Sequence, residues 1–331
     1  MTSTMEALVY EAPREMVLRR LPVPQPGPGE VLVRVAYSGI CGSELSGFLG
    51  QSSIRTPPLV FGHELAGHVE SVGDGVDGLA AGQTVTANPL VTCGQCRYCA
   101  AGVEQRCPQR LLLGASLPGC NAELVVVPAS RVLPVPEGTD LRQASLVEPA
   151  AFALHAVEAA GTSEAPALVV GAGPIGLLIV QALVASGAPA PLVAELNPAR
   201  AAMAERAGAQ LVALADVRGV DLAFDAVGSE GTRQAAFASL APGGTLILVG
   251  LHTDATSLPL NRAVRDELAV RGVFAYAHRH VAHALDGIAS GRLGLAEGVV
   301  EAPLADGAQW YQRLIDGDPA AKVLLVPGAG A

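Results

Sequence analysis

The chain has 331 residues, a formal charge of −10 and a mean hydropathy of +0.39; that length favours two hydrophobic cores over one. Its one lysine, Lys322, and its acidic balance argue against a phosphate-neutralising surface for nucleic acid. Apolar stretches are short, broken by 38 glycines and 24 prolines, so no membrane span of roughly 20 residues is expected. The start, Met1-Thr-Ser-Thr-Met-Glu6, lacks the basic and apolar regions of an export signal. The expectation is a cytoplasmic enzyme acting on a small molecule, with no nucleic-acid or membrane partner.

In chain order, residues 7–10 and 31–37 read as strands joined by the turn-rich stretch Leu21-Pro-Val-Pro-Gln-Pro-Gly-Pro-Gly-Glu30, whose prolines exclude a helix. Short apolar runs bounded by Gly, Pro or Asp follow at 67–72, 84–87, 124–127 and 132–135, the pattern of an all-β, barrel-like unit. From about Leu146 the pattern changes. An Ala-rich helix at 150–160 leads to strand 167–170, helix 174–186, strand 191–195 and helix 198–207. Strands at 222–225, 245–249 and 268–274 continue the alternation, which predicts a parallel sheet covered by helices on both faces. Helices near 281–290 and 308–315 then precede the strand-like 322–326, expected to rejoin the first domain. The resulting division is 1–148, 149–284 and a returning segment, 285–331.

Six cysteines in a long chain without an export signal suggest metal rather than disulfides. Cys93-Gly-Gln-Cys96-Arg-Tyr-Cys99 with Cys107 supplies four thiolates, enough to close a tetrahedral zinc shell with no open position, hence a structural site. A more dispersed set comprises Cys41, His63 and Glu148; one thiolate, one imidazole and one carboxylate would leave a fourth zinc position for a water or a substrate oxygen. Spacing alone does not bring these three together. Read separately they equally suit a core cysteine, a capped loop histidine and a helix-start acid. Cys120 lacks a partner motif and reads as a small buried residue, and His278, His280 and His283 as surface or interface polarity.

Gly171-Ala-Gly173-Pro174-Ile175-Gly176 follows an apolar strand and opens an apolar helix, the context that makes a G-x-G-x-x-G motif a pyrophosphate site. Glu195 ends the next strand at the spacing of the acid that binds the adenosine ribose. Its carboxylate would repel a 2′-phosphate, which favours NAD over NADP, although nearby Arg200 could accommodate that phosphate.

The ordered motifs Gly-Ile-Cys41-Gly-Ser, Phe-Gly-His63-Glu-Leu-Ala-Gly-His-Val-Glu-Ser-Val-Gly73, the cysteine cluster, Val-Glu148-Pro, Gly-Ala-Gly173-Pro-Ile-Gly, Asp225-Ala-Val-Gly and Pro-Gly-Gly244 span nearly the whole chain. Together they resemble the zinc-containing medium-chain alcohol dehydrogenases, especially the polyol (sorbitol) and threonine dehydrogenase branch. The resemblance implies a GroES-like β-barrel catalytic domain and a doubly wound, parallel-sheet Rossmann domain, with zinc, nicotinamide and substrate in a cleft between them. It further implies two zincs per chain, a homodimer or homotetramer, and hydride transfer between a secondary alcohol, or its ketone, and the nicotinamide. By the same resemblance Cys41 and His63 are zinc ligands, and Glu148 matches the glutamate of the polyol branch. Glu64 matches the acid beside the histidine, sometimes a ligand, and Ser43 the hydroxyl that contacts the substrate oxygen.

One departure stands out. Many relatives carry a histidine where this chain has Ser46, and serine is no comparable base near neutral pH; the proton would then leave through cofactor hydroxyls, water or Glu64. Ser43, Glu44, Ser46 and Glu148 lean toward a polyol or cyclitol substrate, with Phe48, Leu49, Leu113, Phe152, Leu251 and Tyr276 as candidate pocket walls. Two rivals are a zinc-free quinone or enoyl reductase of the same superfamily and a zinc-stapled dinucleotide-binding protein without activity.

Overall fold

The computed structural model describes residues 3–328. Met1 and Thr2, where the start read above for an export signal begins, lie outside them, as do residues 329–331. The chain forms two compact units, one from the residues up to Glu148 with those from Tyr276 onward, the other Pro149–Ala275. Among the described residues no helix is long and apolar enough to cross a membrane.

The hub of the first unit is strand Glu30–Gly39, which pairs antiparallel with Glu64–Val72, Leu124–Pro128 and Lys322–Val326. One face is buried along its valines, and the other is buried at Leu32 and Ser38 but exposed at Arg34. Val31, Val33 and Val35 pack with Val69, Val85, Val125 and Val127, while Leu32 packs with Met5, Ala7 and Val9. Each such side chain contributes about 1.5–3 kcal/mol when fully buried, so the register of this strand is strongly fixed. A hairpin of Thr4–Ala12 and Glu15–Pro22 forms a separate three-stranded sheet with Leu59–Val60. The half-exposed, arginine-bearing Glu15–Pro22 gave no strand signal in the sequence.

The C-terminal strand Lys322–Val326 sits between Glu30–Gly39, antiparallel, and Val299–Pro303, parallel. The return to the first unit falls at Tyr276, earlier than the boundary expected at 285. The reason is local: Tyr276 is buried with its hydroxyl on Glu148, and helix His278–Ala289 is pinned by a 2.6 Å hydrogen bond from His278 N to Glu104.

The second unit is a six-stranded parallel sheet. From edge to edge it runs Gln210–Leu211, Leu192–Ala194, Leu168–Val170, Val220–Asp225, Leu240–Leu248 and Ala269–Gly272. In the unit's own chain order this is 3-2-1-4-5-6, with the direction of winding reversing beside Leu168–Val170. Ligands bind at the carboxyl ends of strands at such a switch point, and Gly171–Gly176 begins there.

Candidate metal centres and dinucleotide site

The four clustered cysteines converge. Cys96 and Cys99 Sγ are 3.5 Å apart, Cys93 and Cys107 3.5 Å, and Cys93 and Cys99 3.9 Å, and none is disulfide-bonded. A regular tetrahedron with zinc–sulfur bonds of about 2.3 Å has edges of about 3.8 Å, so the donor set fits zinc. Backbone N–H groups of Gln95 and Cys96 aim at Cys93 and hold its thiol down at about 6, favouring the thiolate a metal needs. The lobe is tied to the rest of its unit by Glu104, which accepts from His278 N and lies 4.0 Å from Arg131.

Ligand atoms of Cys41, His63 and Glu64 all lie within 4.8 Å of one another. Strand pairing explains the convergence. Cys41 follows Glu30–Gly39 and caps helix Gly42–Phe48, while Glu64 opens the strand paired with Glu30–Gly39, opposite Gly39. A Cβ on Gly39 would run into the Glu64 carboxylate, and glycine leaves that carboxylate room beside the strand.

His63 Nδ1 lies 2.8 Å from Glu44 Oε1, which leaves its other ring nitrogen for the metal side. Glu44 is wholly buried and fully occupied: Gly62 N donates to Oε1 at 2.9 Å, and the Tyr311 hydroxyl to Oε2 at 2.6 Å. Burial would raise its pKa, but His63, Arg55 and Tyr311 hold it down at about 2. Glu44 therefore orients the histidine, which corrects its expected place among substrate-facing polar groups. On the other side Lys322 Nζ pairs with Glu64 Oε2 and donates to Ile40 O. Burial works against its charge, yet Glu64 and Cys41 keep it protonated. His63 too is pushed well above its ordinary value, with Cys41 and Glu44 overcoming burial. A divalent cation among Cys41, His63 and Glu64 would take over the place of the proton that these neighbours hold on His63.

Glu148 is not among the three convergent donors. It stands in the first turn of helix Val147–Ala160, where the Tyr276 hydroxyl donates to it at 2.7 Å. Burial raises its pKa to about 7, offset in part by His63. Ser43 Oγ is 3.4 Å from Cys41 Sγ and accepts from Arg55 Nη2 at 3.2 Å. Ser46 is partly buried three residues further along the same short helix, on the face of Ser43.

Of the expected pocket walls, Phe48 and Leu113 are core residues instead, Phe48 against Tyr311 and Leu113 with the valines of the central strand. His280 is buried and its Nδ1 accepts from Ala277 N at the start of its helix, so it is a capping residue and not surface polarity. Cys120 is buried beside Ser38. Glu44 is followed in the sequence by no pattern announcing Tyr311, Arg55 or Lys322; these three were missed, and only their being unusual buried polar residues marks them.

In the second unit Gly173 caps helix Pro174–Ala185, with Pro174 and Ile175 in its first turn. The place of a Cβ on Gly173 has no atom within 4 Å, whereas one on Gly176 would strike Gly171 O at 1.9 Å. The first leaves an open cradle at a helix N-terminus, the second packs helix on strand. Glu195 accepts from Ala172 N at 2.8 Å and Asn197 N at 2.7 Å, and Arg200 Nη2 lies 3.3 Å away. Burial opposes its charge, but these donors lower its pKa below the ordinary value. Arg200 Nε is buried without a partner among the described residues.

Two thiolate-bearing donor sets on a β unit and a phosphate cradle on a doubly wound unit define a metal-dependent dinucleotide oxidoreductase. Residues 27–137 match the alcohol dehydrogenase GroES-like domain and residues 174–290 the zinc-binding dehydrogenase domain. Sorbitol dehydrogenase of Bacillus subtilis (strain 168) is 33% identical over 299 residues, 83% of this chain and 84% of that protein. A zinc-binding dehydrogenase of Sinorhizobium meliloti 1021, solved with NADP bound, superposes with a TM-score of 0.90 at 28% identity, covering 98% of this chain and 100% of that one. An alcohol dehydrogenase of Escherichia coli CFT073 complexed with NADH gives 0.90 at 26% identity, covering 98% and 99%.

The chain belongs to the zinc-containing medium-chain alcohol dehydrogenase family. It is a zinc-dependent, NAD(P)-linked oxidoreductase of small-molecule alcohols, and membership does not favour the zinc-free or non-catalytic readings.

Proposed function

We propose that the chain interconverts a secondary alcohol bearing several hydroxyls, a polyol or cyclitol, with its ketone, using Cys41, His63 and Glu64 as catalytic-zinc ligands. The observation that carries this is the convergence of one sulfur, one nitrogen and one oxygen donor, three ligands with a fourth position to spare. Zinc held there supplies Lewis acidity toward an alcohol oxygen, and the nicotinamide accepts the hydride. Ser43 contacts the substrate oxygen and passes its proton outward, accepting it while releasing its own hydroxyl proton to water, and Ser46 presents a second hydroxyl on the same helix face. Glu148, tethered by Tyr276, is a carboxylate beside the ligands rather than one of them, and it adds polar recognition for further hydroxyls. Cys93, Cys96, Cys99 and Cys107 hold the structural zinc. A screen of polyols, cyclitols, amino alcohols and simple secondary alcohols with both nicotinamide cofactors, on protein of measured zinc content, tests the reading. Two zincs per chain and reduction of NAD by a polyol support it; a preference for simple monoalcohols would overturn the substrate class.

Ligand assignment is separable by substitution. Glu64→Gln should lower zinc to about one per chain, whereas Glu148→Gln should keep two and raise KM; the reverse pattern makes Glu148 the ligand.

Gly171, Gly173, Pro174, Ile175 and Gly176 hold the pyrophosphate, and Glu195 binds the ribose. Because two backbone N–H groups pin the Glu195 carboxylate, it is not free to swing away from a 2′-phosphate, which favours NAD. Glu195→Ser removes that repulsion and frees Arg200. The ratio of kcat/KM for NADP over NAD should then rise by about 10- to 100-fold, since like charges brought together cost several kcal/mol. An unchanged ratio would remove Glu195 from cofactor choice.

A homodimer fits the edge strand Ala269–Gly272, whose residues are all exposed. Val270 and Phe274 lie on or just after it, with exposed Leu260 and Val264 nearby in sequence. Unpaired edges of this kind invite pairing with another chain. Val270→Lys should halve the mass seen by light scattering; an unaltered mass would place the interface elsewhere. Cysteines held by zinc and not by disulfides suit a reducing cytoplasm.

A further inference from the structure

We propose that Arg55 is a positioning residue for the alcohol-oxidising site: it fixes the Ser43 hydroxyl and sets a permanent positive charge beside it, where the chain has no relay histidine. The inference rests on the reading of Ser43 given above and deepens it.

Arg55 lies in the loop after helix Gly42–Phe48 and is only 6% exposed. Its three nitrogens are all committed. Nη2 donates to Ser43 Oγ at 3.2 Å, Nη1 to Ser43 O at 3.2 Å, and Nε to Gly114 O at 3.1 Å. The guanidinium also lies 5.6 Å from the centre of the Phe61 ring. Gly47 leaves space for the arm, since a Cβ there would meet Arg55 Cδ at 2.6 Å. One planar fork therefore grips both the main chain and the hydroxyl of a single residue, and that hydroxyl is itself 3.4 Å from Cys41 Sγ.

Hydrogen-bond inventory gives the consequence. A serine hydroxyl has one proton to donate and two lone pairs. Arg55 takes one lone pair, leaving the other to receive the proton of a substrate hydroxyl. Guanidinium stays protonated in proteins and cannot relay a proton. Its contribution is a fixed hydroxyl direction and a preorganised positive charge that eases release of the Ser43 hydroxyl's own proton to water as the substrate's proton arrives. The same residue also acts electrostatically on Glu44, so a purely structural role is the competing account.

A double-mutant cycle separates the two. Ser43→Ala is expected to lower kcat/KM by about 10- to 100-fold, Arg55→Met by a similar factor, and the double variant by no more than the larger single loss, because both remove one linked device. Ser43→Ala at the wild-type rate would mark failure of the Ser43 reading. Ser43→Ala slow with Arg55→Met within twofold of wild type, or a double loss equal to the product of the single ones, would overturn the role of Arg55. Should Arg55→Met not fold, Arg55→Lys keeps charge and length without the fork and enters the same cycle. An independent readout needs no turnover. In zinc-stripped protein with labelled arginine, hydrogen exchange at Arg55 Nη should quicken in Ser43→Ala; equal exchange in both proteins would remove the contact.

Discussion

Replacing Cys41 with alanine is expected to lower kcat/KM by about 10³-fold or more, which corresponds to about 4 kcal/mol of lost transition-state stabilisation. Three convergent donors define the proposed catalytic centre, and Cys41 is its one sulfur donor. Removing it leaves His63 and Glu64 with a weak two-point grip. Zinc should fall from two to one per chain, while dinucleotide binding, housed in the other unit, stays within about twofold of wild type. Steady-state kinetics, metal analysis and a dinucleotide fluorescence titration on one preparation check all three statements. Undiminished turnover in Cys41→Ala would sink the assignment. The supporting residues grade the effect: Glu44→Gln and Tyr311→Phe, which act on His63 through one or two hydrogen bonds, should cost about 10- to 100-fold.

The largest effect on stability is expected at the other cysteine set. Cys107→Ser opens a closed four-thiolate shell in a lobe with little apolar core of its own, and the loss of a structural metal exceeds about 4 kcal/mol. For a unit of this size that is a fall in melting temperature of about 10 °C or more. Activity should fall with it, although the cysteine cluster is not part of the proposed catalytic donor set. Glu104 of the lobe holds His278 N, and two residues earlier Tyr276 holds Glu148, so a collapsed lobe unseats a residue beside the proposed catalytic donors. Differential scanning calorimetry with and without a zinc chelator tests this. The chelator should abolish most of the difference between wild type and Cys107→Ser, both then lacking the structural zinc; a variant as stable as wild type would deny the cluster its structural role.

How much of this was legible beforehand follows the range of the interactions. Cys93, Cys96, Cys99 and Cys107 sit within one lobe, and Gly171–Gly176 with Glu195 within two adjoining strand–helix turns, so spacing alone points to the chemistry proposed for them. The doubly wound sheet was readable for the same reason, because each element follows the last by a short connection. Glu15–Pro22 escaped because an edge hairpin with exposed arginines lacks the apolar alternation that marks a strand. The proposed catalytic set was only half readable. Cys41, His63 and Glu148 were found by their motifs, but which carboxylate joins them depends on strand register at Gly39 and Glu64 and on the tether from Tyr276. Tyr311 reaches Glu44 across 267 residues of chain, and Lys322 reaches Glu64 through a C-terminal strand inserted beside the hub strand. No local periodicity encodes such partners. Glu44 shows the cost: read as one of several polar neighbours, it is in fact buried to orient one histidine.

Lys322 also has a chemical consequence. It carries the only side-chain primary amine in the sequence, and that amine is buried, charged and paired with a carboxylate next to Cys41. Amine-selective acylating reagents therefore find no side-chain target on the outer surface of the described molecule. Their slow reaction at this one ε-amino group would measure how often the interior around the proposed zinc ligands opens to solvent, giving a single-site chronometer for breathing of the catalytic unit without an engineered label.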